Sequence, residues 1–320
     1  MEVARVIIRL LLPLLEWEGI LTHEPNDVRT RSSVIQVVMA CAVLLCGTAW
    51  AGDLPEVKKS GVLRHLGIPY ANFVTGAGDG MDVELMQLFA RSQGVRYEYV
   101  KTSWDTAVAD LIGRKVEAKG TTVELLSAAP VKGDLIANGF TVLPWRQQVV
   151  DFSYSTFPSQ IWLVARADSK LKPIKPSKDI EQDIAQVKAL LKGRKVLALK
   201  KTCLDPDLYN LYATGAEVIC FNGNLNELAP AIIKGEAEMT ILDVPDALVA
   251  LEKWPGTIKV IGPISPRQGM AVAFPKASPQ LREAFNKFLV QSRKDGSYER
   301  IVKKYYPTAF ASFPDYFVGR

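Results

Sequence analysis

The chain has 320 residues, 48% of them hydrophobic and 23% charged, enough for one large globular domain or two smaller ones with a real core. Its formal charge of +5 comes from lysines and arginines scattered singly or in short groups such as "KGRK". No basic tract is interleaved with aromatics, which argues against a nucleic-acid partner, and no His/Cys cluster has metal-ligand spacing, so neither a metal nor a cofactor is expected.

In chain order, the first element is an export signal. From Val28 the sequence places Arg29 and Arg31 before an apolar stretch, Val34 to Cys46, and then Ala49-Trp50-Ala51. That is a secretory signal over residues 28–51 with cleavage expected after Ala51, which places the mature protein in the periplasm. The stretch is shorter than the roughly 20 residues that span a bilayer, so no permanent anchor is expected. Residues 1–27 fit no part of such a signal and read as a non-native upstream extension, translation beginning at position 28 from a GTG codon read as valine.

After the signal, "GVLRHLGI" (61–68) has the pattern of a buried strand and "MDVELMQLFARSQG" (81–94) that of a helix closed by Gly94. His65, inside the strand, reads as a core residue. "VRYEYVK" (95–101) alternates like a strand, and "SWDTAVADLIG" (103–113) is a helix with a Ser N-cap. The rhythm recurs later: "KVLALKK" strand, "CLDPDLYNLYATG" helix, "AEVICF" strand, "LNELAPAIIKG" helix, "EMTILD" strand, "VPDALVALEKWPG" helix, "IKVIG" strand. Two α/β units with parallel strands and crossover helices follow. A Pro- and Lys-rich stretch after residue 166 lies between them, and "SPRQGMAVAF" (265–274) and residues 278–306 add a strand and two helices.

The catalytic inventory is thin. There is no Gly-x-Ser-x-Gly elbow, phosphate loop or dinucleotide fingerprint, and no free histidine to serve as a base, which favours binding over turnover. Ligands of open α/β sheets sit beyond the carboxyl ends of the strands, where this chain carries Gly67 to Tyr70, Gly139 to Arg146, Thr202, Cys203 and Asp243. A planar cation, a helix N-terminus and a carboxylate together complement an α-amino acid.

These residues carry a family likeness. "GVLRHLGIPYANF", "GMDVELMQLFARSQG", "GDLIANGFTVLPWRQQVVDFS", "KVLALKKTC", "GEAEMTILDVPDAL" and "GMAVAF", in this order and spacing, make residues 58–306 resemble the bacterial extracellular solute-binding proteins of family 3, periplasmic receptors of polar amino acid ABC transporters. The resemblance implies a type II periplasmic binding protein: two α/β lobes joined by two crossover strands, lobe 1 from 53–157 and 263–320 and lobe 2 from 158–262. It implies a ligand carboxylate on Arg146, with the Thr141 hydroxyl and Gly139 carbonyl beside it. Thr202 and the Cys203 backbone N–H would hold the carboxylate from the other lobe, and Asp243 would take the ammonium. Tyr70 and Trp104 would wall the side chain. The implied partners are an amino acid or small carboxylate and a membrane permease, the receptor itself being a monomer.

The chain departs from the family in reading "KTC" where a Gly-Thr-Thr-like turn is usual, and Leu143 and Trp145 before Arg146; Lys201 admits a second anionic group on the ligand. Residues 115–133 are an extra segment, expected as a surface loop away from the cleft. Bland alternatives stand beside each role: Arg146 paired with Asp151, Asp243 capping the next helix, Tyr70 and Trp104 as core aromatics. Cys203 and Cys220 each end one of two consecutive strands, so a disulfide is expected, two buried thiols being the alternative. Two other functions fit the same fold: a docking or sensing module for a membrane receptor or dehydrogenase, and a periplasmic dehydratase using Glu84 or Asp243.

Overall fold

The computed structural model describes residues 52–317; the export signal, its cleavage site and the upstream extension lie outside them. A short helix α1 (Leu54–Ser60) starts where the Asp53 carboxylate accepts the Leu54 N–H. The first sheet then builds from β1 (Val62–Gly67), β2 (Arg96–Lys101), β5 (Leu135–Ile136), β6 (Val150–Phe152) and β14 (Ala273–Pro275) in the order β2-β1-β5-β14-β6. Its β2, β1 and β5 run parallel, with helices α2 (Met81–Ser92) and α3 (Ala107–Ile112) as crossovers. β14 returns antiparallel to both β5 and β6. Between α3 and β5 stands a hairpin, β3 (Arg114–Lys119) and β4 (Thr122–Ala128), and helix α4 (Pro144–Val149) precedes β6.

The second sheet comprises β8 (Ile161–Arg166), β9 (Lys195–Ala198), β10 (Glu217–Cys220), β11 (Met239–Asp243) and β12 (Ile258–Pro263) in the order β10-β9-β11-β8-β12. Every residue of β11, which runs parallel to β9 and antiparallel to β8, is buried, with α6 (Leu228–Lys234) and α7 (Val244–Lys253) packed against it, while α5 (Ile180–Ala189) packs by β12. Two antiparallel segments, β7 (Phe157–Ser159) and β13 (Gln268–Met270), pair between the sheets. The chain closes with α8 (Pro279–Lys294), α9 (Ser297–Tyr305), α10 (Ala309–Ser312) and α11 (Pro314–Phe317).

Three expectations need correction. Residues 203–215 form two short 3₁₀ turns, Pro206–Tyr209 and Leu211–Thr214, and not one helix. Asn210, at φ +52, breaks the run so that Tyr209 and Leu211 can both be buried. The apolar run 265–274 divides into β13 and β14, one pairing with β7 and the other joining the first sheet. The extra segment is a β-hairpin, for which Gly120 at φ +59 supplies the turn and "KVEAK" the alternation; Leu125 and Leu126 on β4 are exposed.

Candidate functional site

The site starts from a buried carboxylate. Asp82, in the first turn of α2, accepts the Gly139 backbone N–H on Oδ2 at 2.6 Å, and its Oδ1 has no hydrogen bond. Gly139 holds φ +64, and a Cβ there would sit 2.4 Å from the Phe73 ring, so no side chain fits. Burial raises the Asp82 pKa to about 7, the Gly139 N–H opposing. The loop anchored in this way carries Phe140, Thr141 and, in α4, Arg146.

Arg146 is buried although it is an arginine. Its Nη1 donates to the Thr141 carbonyl at 2.8 Å, and its Cζ lies 3.8 Å over the Phe140 ring, 5.3 Å from Trp145 and 5.9 Å from Trp104. Its Nε has no acceptor. No carboxylate among the described residues forms a salt bridge with it, and Asp151 pairs instead with Lys276 and Arg282, which removes the structural pairing considered above. Burial lowers its pKa to about 10, so it stays charged at neutral pH. Pro144 at the first helical position was the local sign that a helix, not a turn, presents it.

Opposite this loop stand residues of the second sheet. Asp243 ends β11, is fully buried, and caps α7 by accepting the Asp246 N–H at 3.3 Å. The capping role is therefore present. The same carboxylate accepts a hydrogen bond from the Tyr70 hydroxyl, and from the Cys203 thiol at 3.4 Å. Burial raises its pKa, against the three donors. Tyr70 in turn packs edge-on to Trp104, 5.6 Å between ring centres, and Trp104 stacks on Phe140 at 6.4 Å. Further bonds join the two sides, Ala71 N–H to Asn226 Oδ1 at 2.9 Å and Lys201 Nζ to Asp105 at 3.8 Å.

The structure thus gathers Tyr70, Trp104, Thr141, Arg146, Cys203 and Asp243 in one cluster. Thr202 is adjacent but turned to its own loop: its hydroxyl donates to the Leu199 carbonyl at 2.8 Å and accepts the Leu204 N–H at 3.0 Å. No helix opens at Thr202 and Cys203, because Asp205 caps the first 3₁₀ turn. Cys203 and Cys220 are both free thiols, the first buried and the second exposed, so the expected disulfide is not formed. β9 ends at Ala198, which is the register partner of Cys220, and Cys203 lies beyond the following turn against Asp243. Burial, and then Asp243, raise the Cys203 pKa, so it is a thiol and not a thiolate.

Of the other candidates, His65 bonds Tyr97 Oη at 2.9 Å and the Ala137 carbonyl, and burial lowers its pKa to about 4: it is a neutral core residue. Glu84 lies in an outer cluster with Lys304 and Tyr305, away from the cleft. Sequence reasoning passed over Asp82 and Asp246, both buried; each sits in a helix first turn among apolar neighbours, where a carboxylate is unusual.

A family model for "Bacterial extracellular solute-binding proteins, family 3" matches residues 106–308. The chain belongs to this family. Among family relatives, the histidine-binding periplasmic protein of Salmonella typhimurium is 24% identical over 71% of this chain and 78% of its own length. The membrane-bound lytic murein transglycosylase F of Desulfosudis oleivorans is 27% identical over 87% of this chain, but the chain spans only 57% of that protein. The fold matches a mutant of the arginine-binding protein ArgBP from T. maritima, with TM-score 0.61 and 23% identity over 79% of this chain and 99% of that one. The family 3 receptor fold, type II periplasmic, accounts for the two sheets and the paired segments between them.

Proposed function

We propose that this protein is an exported solute receptor that captures an amino acid or a similar small carboxylate between lobe 1 (53–157 and 263–320) and lobe 2 (158–262). The closed form would then be presented, as a monomer, to the membrane permease of an ABC transporter. The observation that carries this reading is Arg146, a buried guanidinium with a free Nε and no carboxylate partner among the described residues. A desolvated cation of this kind costs several kcal/mol unless an anion joins it. A ligand carboxylate supplies that anion, with Thr141 and Gly139 beside it, the Thr202–Cys203 turn across from it, and Tyr70 and Trp104 as walls. Export through the 28–51 signal with cleavage after Ala51 belongs to the same reading.

Turnover is not part of it. His65 and Glu84 are engaged outside the cleft, and Asp243 is held by three donors, so the dehydratase candidates weighed from the sequence are all occupied. A docking module is the second reading, favoured by the exposed Leu125 and Leu126 on the β3–β4 hairpin.

The test is a thermal-shift screen of purified, ligand-free protein against the twenty amino acids and common small mono- and dicarboxylates. A ligand at about 100 times its Kd adds roughly 2.7 kcal/mol, or about 5–10 °C. A hit that disappears in Arg146→Ala supports the receptor. A flat screen on folded protein overturns it.

A further inference from the structure

The ribbon between the two sheets has two faces, and they meet different parts of the molecule. β7 and β13 pair antiparallel, with Ser159 opposite Gln268 and Pro158 opposite Gly269, and successive residues of each point to opposite faces. On one face the Gln268 amide donates to the Tyr209 hydroxyl at 3.5 Å, and that hydroxyl donates to the Cys203 carbonyl at 2.6 Å, so this face looks on the cluster of Arg146, Cys203 and Asp243. On the other face Gly269 runs against Ser155, whose Oγ would lie 3.0 Å from a Cβ at that position. The end of the chain is fastened to this second face. The Tyr316 hydroxyl donates to the Ser155 carbonyl at 2.8 Å, and Arg293 of α8 donates to the same carbonyl at 2.7 Å.

The fastened segment, α10 and α11, lies beyond residue 308, where the match to the family model ends. Its Phe313 is only 4% exposed. The ring stacks on Trp162 of β8, 6.3 Å between centres and 12° between planes, and the Arg267 guanidinium lies 5.9 Å from it. Trp162 is itself held in place: its indole N–H donates to Gln160 Oε1 at 2.9 Å, and the Gln160 amide donates to the Ser265 carbonyl at 2.9 Å. The Arg267–Asp315 pair at 4.0 Å is exposed on both sides and adds little. An aromatic ring anchored through Tyr316 to the chain leaving the first sheet therefore presses, behind the ribbon, on an aromatic ring of the second sheet.

Hinge opening about β7 and β13 would part Tyr70 from Asp243 and Ala71 from Asn226 on the cluster side, and would bring the groups behind the ribbon together. Close-packed rings resist that approach. We propose that Phe313 is a wedge behind the hinge that opposes opening, so that the C-terminal segment sets how much of the protein is closed. On the receptor reading given above, on which this consequence rests, the apparent affinity for solute scales with the closed population.

The two thiols report the opening without any solute. Cys203, 2% exposed and bonded to Asp243, reacts when the cluster parts, while Cys220 is exposed throughout and serves as the internal reference. The ratio of their alkylation rates, read by mass spectrometry well below the melting temperature, compares the solute-free parent with Phe313→Ala and Phe313→Trp. Alanine removes the wedge, whereas the larger ring has room in the cavity of about 410 Å³ that Phe313 lines with Pro158, Arg267 and Gly269. Cys203 is expected to react at least about threefold faster in Phe313→Ala and more slowly than the parent in Phe313→Trp. Any other order of the three rates, equal rates or faster reaction in both variants included, would overturn the wedge and leave the receptor standing. A flat solute screen would overturn the receptor and leave these rates as they are.

Discussion

Asp82 and Gly139 are 57 residues apart in sequence, and the Gly139 N–H reaches the Asp82 carboxylate at 2.6 Å with both groups buried. This bond ties the start of α2 to the loop that presents Thr141 and Arg146. It also explains why position 139 must be glycine, since the loop passes against Phe73 at a positive φ.

Gly139→Ala should therefore destabilise the protein by about 2–4 kcal/mol, from backbone strain and the clash with Phe73 together. Chemical denaturation of parent and variant measures the loss. A cost below about 0.5 kcal/mol would show that the loop is not held as described.

The Asp82 carboxyl has a pKa of about 7 against an ordinary 3.8, so the folded protein keeps a proton that the unfolded chain loses over that range. Its contribution to stability is fully present below pH 3.8 and is lost as pH rises towards 7, on the order of 4 kcal/mol. His65 acts oppositely, because its pKa falls from 6.5 to about 4: its contribution is present above pH 6.5 and lost as pH falls towards 4. The two slopes offset each other in the parent. Asp82→Asn removes one of them, and its stability relative to the parent should rise between about pH 4 and pH 7; a difference independent of pH would contradict the buried carboxylic acid.

Two free thiols differ sharply in exposure. Without reductant, Cys220 should alkylate at the rate of an ordinary surface thiol, and Cys203 at least about 100-fold more slowly because of its burial and raised pKa. A bound ligand that favours closure should slow Cys203 further. Mass spectrometry of the alkylated protein reads both positions, and a mass deficit of one disulfide would refute this assignment.

How far the sequence carried the account depends on the range of the interaction. The alternation of strands and helices, the crossover rhythm and the residues at strand ends are local patterns, and they led to Arg146, Thr141, Tyr70 and Asp243. The hairpin at 114–128 was also legible in principle, since "KVEAKGTTVEL" alternates around a glycine turn. What the sequence did not show are contacts between distant segments. Asp82 with Gly139, Tyr70 with Asp243 and the Cys203 thiol with Asp243 each depend on how separate elements meet. The expected disulfide failed for the same reason: strand order was read correctly, but β9 ends at Ala198 and the turn after it carries Cys203 inward.

The most direct test of the central claim is the melting of parent and Arg146→Met with and without the carboxylate that the screen identifies. Methionine keeps the apolar volume against Phe140 and removes the charge. The variant forfeits cation–π contacts worth about 2 kcal/mol or more and the Nη1 bond to the Thr141 carbonyl, about 1.5–3 kcal/mol, against a relieved desolvation of several kcal/mol. The ligand-free variant should thus melt close to the parent and show no shift on adding the carboxylate. A variant that melts lower and still shifts with ligand would mean that Arg146 is a structural residue and that the solute is held elsewhere.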